Sequence, residues 1–186
     1  MKRIVPAALV VAAAIASFAA HAQGVLAPGG APAAPVNPLT RAASSVGVRQ
    51  CLPALDALSS IGVRGATRSD VLIDWDRAHP NGAPVFSLVG LETAQGNAVI
   101  SVNAAPAADG TCAVSAERVA FDASPCRQVA QRELRDYRAT PLLPHMTVYT
   151  RDREPGSTVS LVDSPPGCLT IRRYVKFSAS YGAGPQ

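Results

Sequence analysis

The usual signatures of catalysis are missing from this 186-residue sequence. There is no G-x-S-x-G nucleophile elbow, no S-x-x-K and no glycine-rich phosphate loop. No C-x-x-C occurs, which argues against a thiol oxidoreductase. Histidine is scarce at three residues, and none stands in an H-E-x-x-H or comparable metal-ligand spacing. Aromatic residues make up only 5% of the chain, with a single Trp. Lysine is nearly absent, Lys2 and Lys176 being the only two. Exported hydrolases commonly rely on one of the missing devices, so the expectation is a protein that is not an enzyme and carries no cofactor or metal. Beyond residues 4–20, no apolar run approaches the ~20 residues that a spanning helix needs.

What is present begins with an address. Lys2 and Arg3 precede the apolar stretch Ile4–Ala20, and Ala20-His21-Ala22 is a small-x-small site before Gln23. Residues 1–22 therefore read as a secretory signal peptide cleaved after Ala22, which predicts a periplasmic or secreted chain with no transmembrane segment after cleavage. Of the 17 basic residues, removal of Lys2 and Arg3 leaves 15 against 13 acidic ones, a net charge of +2. So small a charge, in that compartment, argues against nucleic acid as a partner. An oxidising address also makes disulfides the first reading of Cys51, Cys112, Cys126 and Cys168.

Residues 23–46 hold four prolines and three glycines without helical or strand period. They are expected to form a flexible linker. A flexible tail is expected over 179–186, leaving one α+β domain at 47–178.

That domain reads as two tandem α-β-β-β repeats, 47–123 and 124–178, forming an antiparallel sheet with one helix per repeat packed on it. The first repeat opens at Cys51 with a helix over Leu52–Ser60, Gly62 supplying a stop. The second opens with Ser124 as N-cap and Pro125 in the first turn. There Cys126, Val129, Ala130, Leu134 and Tyr137 form one apolar face. Strands are predicted over Val85–Leu91, Asn97–Asn103 and Cys112–Phe121, then Met146–Thr150, Thr158–Val162 and Cys168–Phe177, each set joined at glycine-containing turns. Asp70–Asp76 reads as an additional strand in the first repeat. CAVSAERVAF at Cys112–Phe121 matches CLTIRRYVKF at Cys168–Phe177 in Cys, Val and Phe.

The four cysteines occupy corresponding places, which favours Cys51–Cys112 and Cys126–Cys168. Parity raises an objection. If Leu169, Ile171, Val175 and Phe177 mark the buried face of the last strand, Cys168 points the other way, and Cys112 has the same conflict with Val119 and Phe121. Either a bulge at the strand entrance removes it, or the pairing is Cys51–Cys126 with Cys112–Cys168.

Two clusters are candidates for function. All four tyrosines (Tyr137, Tyr149, Tyr174 and Tyr181) lie in the second half of the chain, and residues 124–186 carry nine basic and five acidic groups against six and eight in 41–123. Tyr149, Arg151 and Arg153 share a parity, as do Arg172, Tyr174 and Lys176, with Ser160 on the strand between. Tyr and Arg dominate interface hot spots, so these seven residues predict a binding face for a protein partner in the envelope, as in an inhibitor or an assembly factor. The alternative is a small hydrolase or metal-binding protein around Asp74, Asp76 and His79, whose carboxylates alternate on one strand face. A binder of polyanions or cell wall through the arginines of the second repeat is a third reading.

Overall fold

The computed structural model describes residues 37–179. The expected signal peptide, most of the expected linker and residues 180–186 lie outside them. The described chain is an α+β fold of three helices and one eight-stranded antiparallel sheet. Its order is α1 (Pro38–Ser45), α2 (Leu52–Gly62), β1 (Ala66–Trp75), β2 (Val85–Thr93), β3 (Gly96–Pro106), β4 (Cys112–Asp122), α3 (Cys126–Glu133), β5 (Arg138–Leu143), β6 (Met146–Thr150), β7 (Ser157–Ser164) and β8 (Gly167–Ala179). The sheet runs β1-β2-β3-β4-β8-β7-β6-β5, two meanders joined through their last strands.

The helix α1 overturns the end of the expected linker. Asn37 caps it, its Oδ1 accepting from the N–H groups of Leu39 and Thr40 at 3.2 and 3.4 Å, and Pro38 suits the first turn. Leu39 and Ala43, four residues apart, are wholly buried in the main core. Asn37 Nδ2 also donates to the Asp56 carbonyl and to Ser60 Oγ, each at 3.2 Å, tying α1 to α2. Ordering is therefore driven by one apolar pair and one cap, in a segment whose proline content obscures both.

Paired residues in a sheet share a face, so register assigns every strand residue to one side. The strand β2 alternates cleanly, burying Val85, Ser87, Val89 and Leu91. With Val71, Ile73, Ile100, Val102 and Val114 these meet α1 and α2 in the main core. A smaller core lies under α3, where Val129 and Leu134 pack on Val159, Leu161 and Cys168. The pairing Val159↔Arg172↔Arg118↔Ile100 runs continuously across the sheet, which puts all three helices on one face. The other face is open among the described residues.

Both bridges of the favoured pairing are present, Cys51–Cys112 and Cys126–Cys168. The parity objection dissolves because its premise fails. Cys168, Thr170, Arg172 and Tyr174 face the helices, whereas Leu169, Ile171, Val175 and Phe177 lie on the open side. Among the described residues no helix is long and apolar enough to cross a membrane.

Three further expectations are corrected. The strand β5, edge-lying and exposed at every residue, was not anticipated, since Pro141 and flanking polar residues hide its period. Ser124 does not cap α3. Pro125 is the N-cap, and the Ser124 N–H donates to Asp122 Oδ1 at 2.7 Å. Ala179, placed in the expected tail, is buried at the end of β8 opposite Cys112.

Close approaches set the hairpin ends of the second meander. Gly156 has φ +85°, and a Cβ there would lie 2.4 Å from the Val175 carbonyl oxygen. At Gly167 a Cβ would meet the Asp122 carbonyl oxygen at 2.1 Å, so the β7–β8 turn lies directly against the end of β4.

Candidate functional site

The seven residues of the expected Tyr/Arg face do not form one surface. Tyr149 and Arg172 do share a row, on either side of Val159, but on the helix side of the sheet. Tyr149 packs against the α3 core and Tyr174 against the main core. Ser160 faces the opposite side, paired with Val148 and Ile171. Arg151 lies just past β6, its Cζ 4.5 Å from the Tyr137 ring centroid and its Nη1 2.9 Å from Glu154 Oε1. That hydrogen bond is the largest cause raising the Arg151 pKa. Arg153 and Lys176 are exposed and separate. Much of the expected platform is thus occupied by contacts within the chain.

The second cluster assembles only in part. Asp76 closes the turn after β1, its Oδ1 accepting from the N–H groups of Ala78 and His79 at 2.8 and 3.2 Å. Its Oδ2 lies 3.2 Å from His79 Nδ1. The Ala78 N–H, followed by the His79 side chain, holds the Asp76 carboxyl below its ordinary value. Asp74 stays on the open face opposite Phe86. Trp75 packs on the main core beneath the Arg77 guanidinium, 5.4 Å from its ring centroid. No group of three or more His, Cys, Asp or Glu positioned to hold a metal occurs among the described residues.

Two features that sequence reasoning missed stand out. The first is the open face. Its residues include Leu72, Phe86, Leu88, Val99, Phe121 and Phe177, with Phe86 56%, Phe121 49% and Phe177 80% exposed. Register extends this surface through Val119, Ile171 and Val148 in one row and Leu169 and Val162 in the next. The ionic groups of the face pair internally, Arg68 with Glu92 at 3.5 Å and Arg173 with Glu117 at 3.8 Å. Asp70 and Asp74 of β1 are exposed there without an ion pair among the described residues.

The second feature is a cleft of ≈ 180 Å³ on the helix side, between the β2–β3 hairpin and α3, with β4 and β8 as its floor. Arg118 and Arg172 lie on that floor, directly opposite each other in the β4–β8 register. Glu133 Oε2 meets Arg172 Nη2 at 2.6 Å and its Oε1 meets Arg132 Nη2 at 2.8 Å. Arg132 also pairs with Asp122. The Ser124 backbone N–H, then its side chain, and beyond these Arg132, lower the Asp122 pKa. The hydrogen bond to Glu133, then that to Asp122, raises the Arg132 pKa.

Comparison with protein-family models, curated proteins and solved structures finds no match to this chain.

Proposed function

We propose that this protein is an exported, non-enzymatic protein-binding module, and that it docks its partner on the open sheet face. The observation that carries the reading is the set of exposed phenylalanine and aliphatic side chains spread over a face that no helix covers among the described residues. Scattered exposed apolar residues are ordinary, but a contiguous apolar surface marks a site of interaction. Eight strands about 4.8 Å apart, each contributing about six residues of 3.4 Å rise, span roughly 780 Å² of sheet face, polar and apolar residues together. That is close to the ~800 Å² per partner of a standard interface. The partner is a protein with a flat apolar surface and basic groups placed to meet Asp70 and Asp74.

The test is a photoreactive residue introduced at Leu88, on the open face, and separately at Ile61, exposed on α2. In the native envelope, Leu88 should yield one discrete adduct and Ile61 none. Reversing the charge in Asp70→Lys with Asp74→Lys should weaken the adduct at least fivefold. Equal labelling from both positions, or adducts indifferent to that reversal, would overturn the docking surface.

Export is part of the same proposal. Its support is the signal-like residues 1–22 and the two disulfides, which fit an oxidising extracellular or periplasmic compartment. A tandem repeat is proposed too, now with four strands following each helix. Each bridge would then join the start of its helix to the start of its last strand, at equivalent positions 56 residues apart within the matched strands Cys112–Phe121 and Cys168–Phe177.

A further inference from the structure

We infer that the cleft between the β2–β3 hairpin and α3 is a binding site for an oxyanion, held by the guanidinium of Arg118. Three arginines are half-buried among the described residues: Arg118, Arg151 and Arg172. Arg151 is matched by Glu154 and Asp136, and Arg172 by Glu133. Arg118 alone has no carboxylate and no hydrogen-bond partner among the described residues. Its position makes this costly, because its neighbour across the strands is another arginine, and like charges directly opposite in a sheet repel.

The ion pairs of the cleft form a ladder: Asp122, Arg132, Glu133, Arg172. Adding Arg118 gives three guanidiniums to two carboxylates, so the ladder lacks one negative group, and the lack falls at Arg118. Glu133 already serves two arginines, one through each oxygen. The geometry therefore calls for an anion from outside. A volume of ≈ 180 Å³ holds about six waters at ~30 Å³ each, which suits one carboxylate or phosphate group with part of its hydration. A guanidinium fork matches either group with two parallel N–H···O bonds. The hairpin residues Gln95, Gly96 and Asn97 border the cleft on its β2–β3 side. The site lies on the opposite face from the proposed docking surface and stands independently of it.

Nuclear magnetic resonance titrations of the full mature protein with inorganic phosphate and with acetate, at constant ionic strength set by sodium chloride, test this. Saturable shifts should appear at the Arg118 Nε–H and at the Gly96 and Asn97 amides, at concentrations on the order of millimolar. Saturation by phosphate alone would assign a phosphate group, by acetate alone a carboxylate, and by both a general oxyanion site. Arg118→Gln should weaken binding at least tenfold, and Arg118→Lys less, since it keeps the charge and loses the fork. Arg118→Gln should melt no lower than the parent protein, because it relieves the repulsion with Arg172. Shifts that fail to saturate, that chloride reproduces, or that Arg118→Gln leaves unchanged would overturn the site.

Discussion

Removing the Cys126–Cys168 bridge should release α3 while the rest of the sheet stays folded. The bridge closes 42 residues of sequence and Cys51–Cys112 closes 61. On chain entropy alone each contributes about 4 kcal/mol, and the two differ by only about 0.3 kcal/mol. Any larger difference between the variants therefore reports packing. The eight residues of α3 are far short of the ~12–15 that an isolated helix needs. Val129 and Leu134, both buried, give roughly 4 kcal/mol of apolar burial, and the exposed pairs of Arg132 and Glu133 add little. Ordering eight residues costs roughly 8–16 kcal/mol. With the bridge the two sides come within a few kcal/mol of balance, and without it the helix has too little to hold it. In Cys126→Ala with Cys168→Ala, hydrogen exchange of α3 amides should approach random-coil rates while β2 and β3 keep their protection. In Cys51→Ala with Cys112→Ala, α2 stays seated on the main core through Ala54 and Leu55, and protection should fall uniformly across the first meander. Slow, globally limited exchange of α3 in the first variant would refute the reasoning.

Leu39→Ala should cost about 3 kcal/mol, within the 2–5 kcal/mol of buried leucine truncations, read as a drop in the urea midpoint. A loss under about 0.5 kcal/mol would mean that α1 is not part of the core. Asp122→Asn should lower the melting temperature at neutral pH. Because the folded pKa of Asp122 lies below its ordinary 3.8, the stabilisation is complete above that value and fades as pH falls through the lowered one. Melting curves of the two proteins should therefore converge in strong acid, and a gap independent of pH would contradict this.

The elements legible in the sequence were those with two signals apiece. The helix α2 had a proline in its first turn and a glycine near its end, although the helix runs through Gly62 to a cap at Val63, and β2 had clean alternation and a bounding turn. Each strand before a β-hairpin glycine was similarly marked, and the matched cysteine positions gave the bridges. The elements missed had one signal set against a contrary one. Proline density outweighed the Leu39–Ala43 pair in α1, and Pro141 interrupted β5. The deeper misreading concerned direction. Parity divides a strand into two faces but does not say which is covered, and in β8 both carry apolar residues. Hydrophobicity pointed to Leu169, Ile171, Val175 and Phe177, whereas the cysteines had already marked the helix side. Arg118 was illegible for another reason: its significance depends on Arg172, 54 residues later in the sequence, and on a count of nearby carboxylates that only the folded chain defines.

The register between β4 and β8 links the proposed repeat to the proposed anion site. Glu117 pairs with Arg173, and these two hold equivalent places in the matched strands Cys112–Phe121 and Cys168–Phe177. If the halves are repeats, a local twofold axis passes through that pair. It exchanges the row Arg118↔Arg172 with the row Ala116↔Tyr174, both on the helix side. The second row is filled apolar packing, with Ala116 and Tyr174 against the main core. The first holds two arginines and the open cleft. One row supplies stability and its counterpart is charged, concave and short of one anion. Packing alone would favour the same solution in both places, since the apolar pair avoids the repulsion between Arg118 and Arg172. The departure from symmetry therefore falls at the row that holds Arg118, the half-buried arginine with no counter-ion among the described residues.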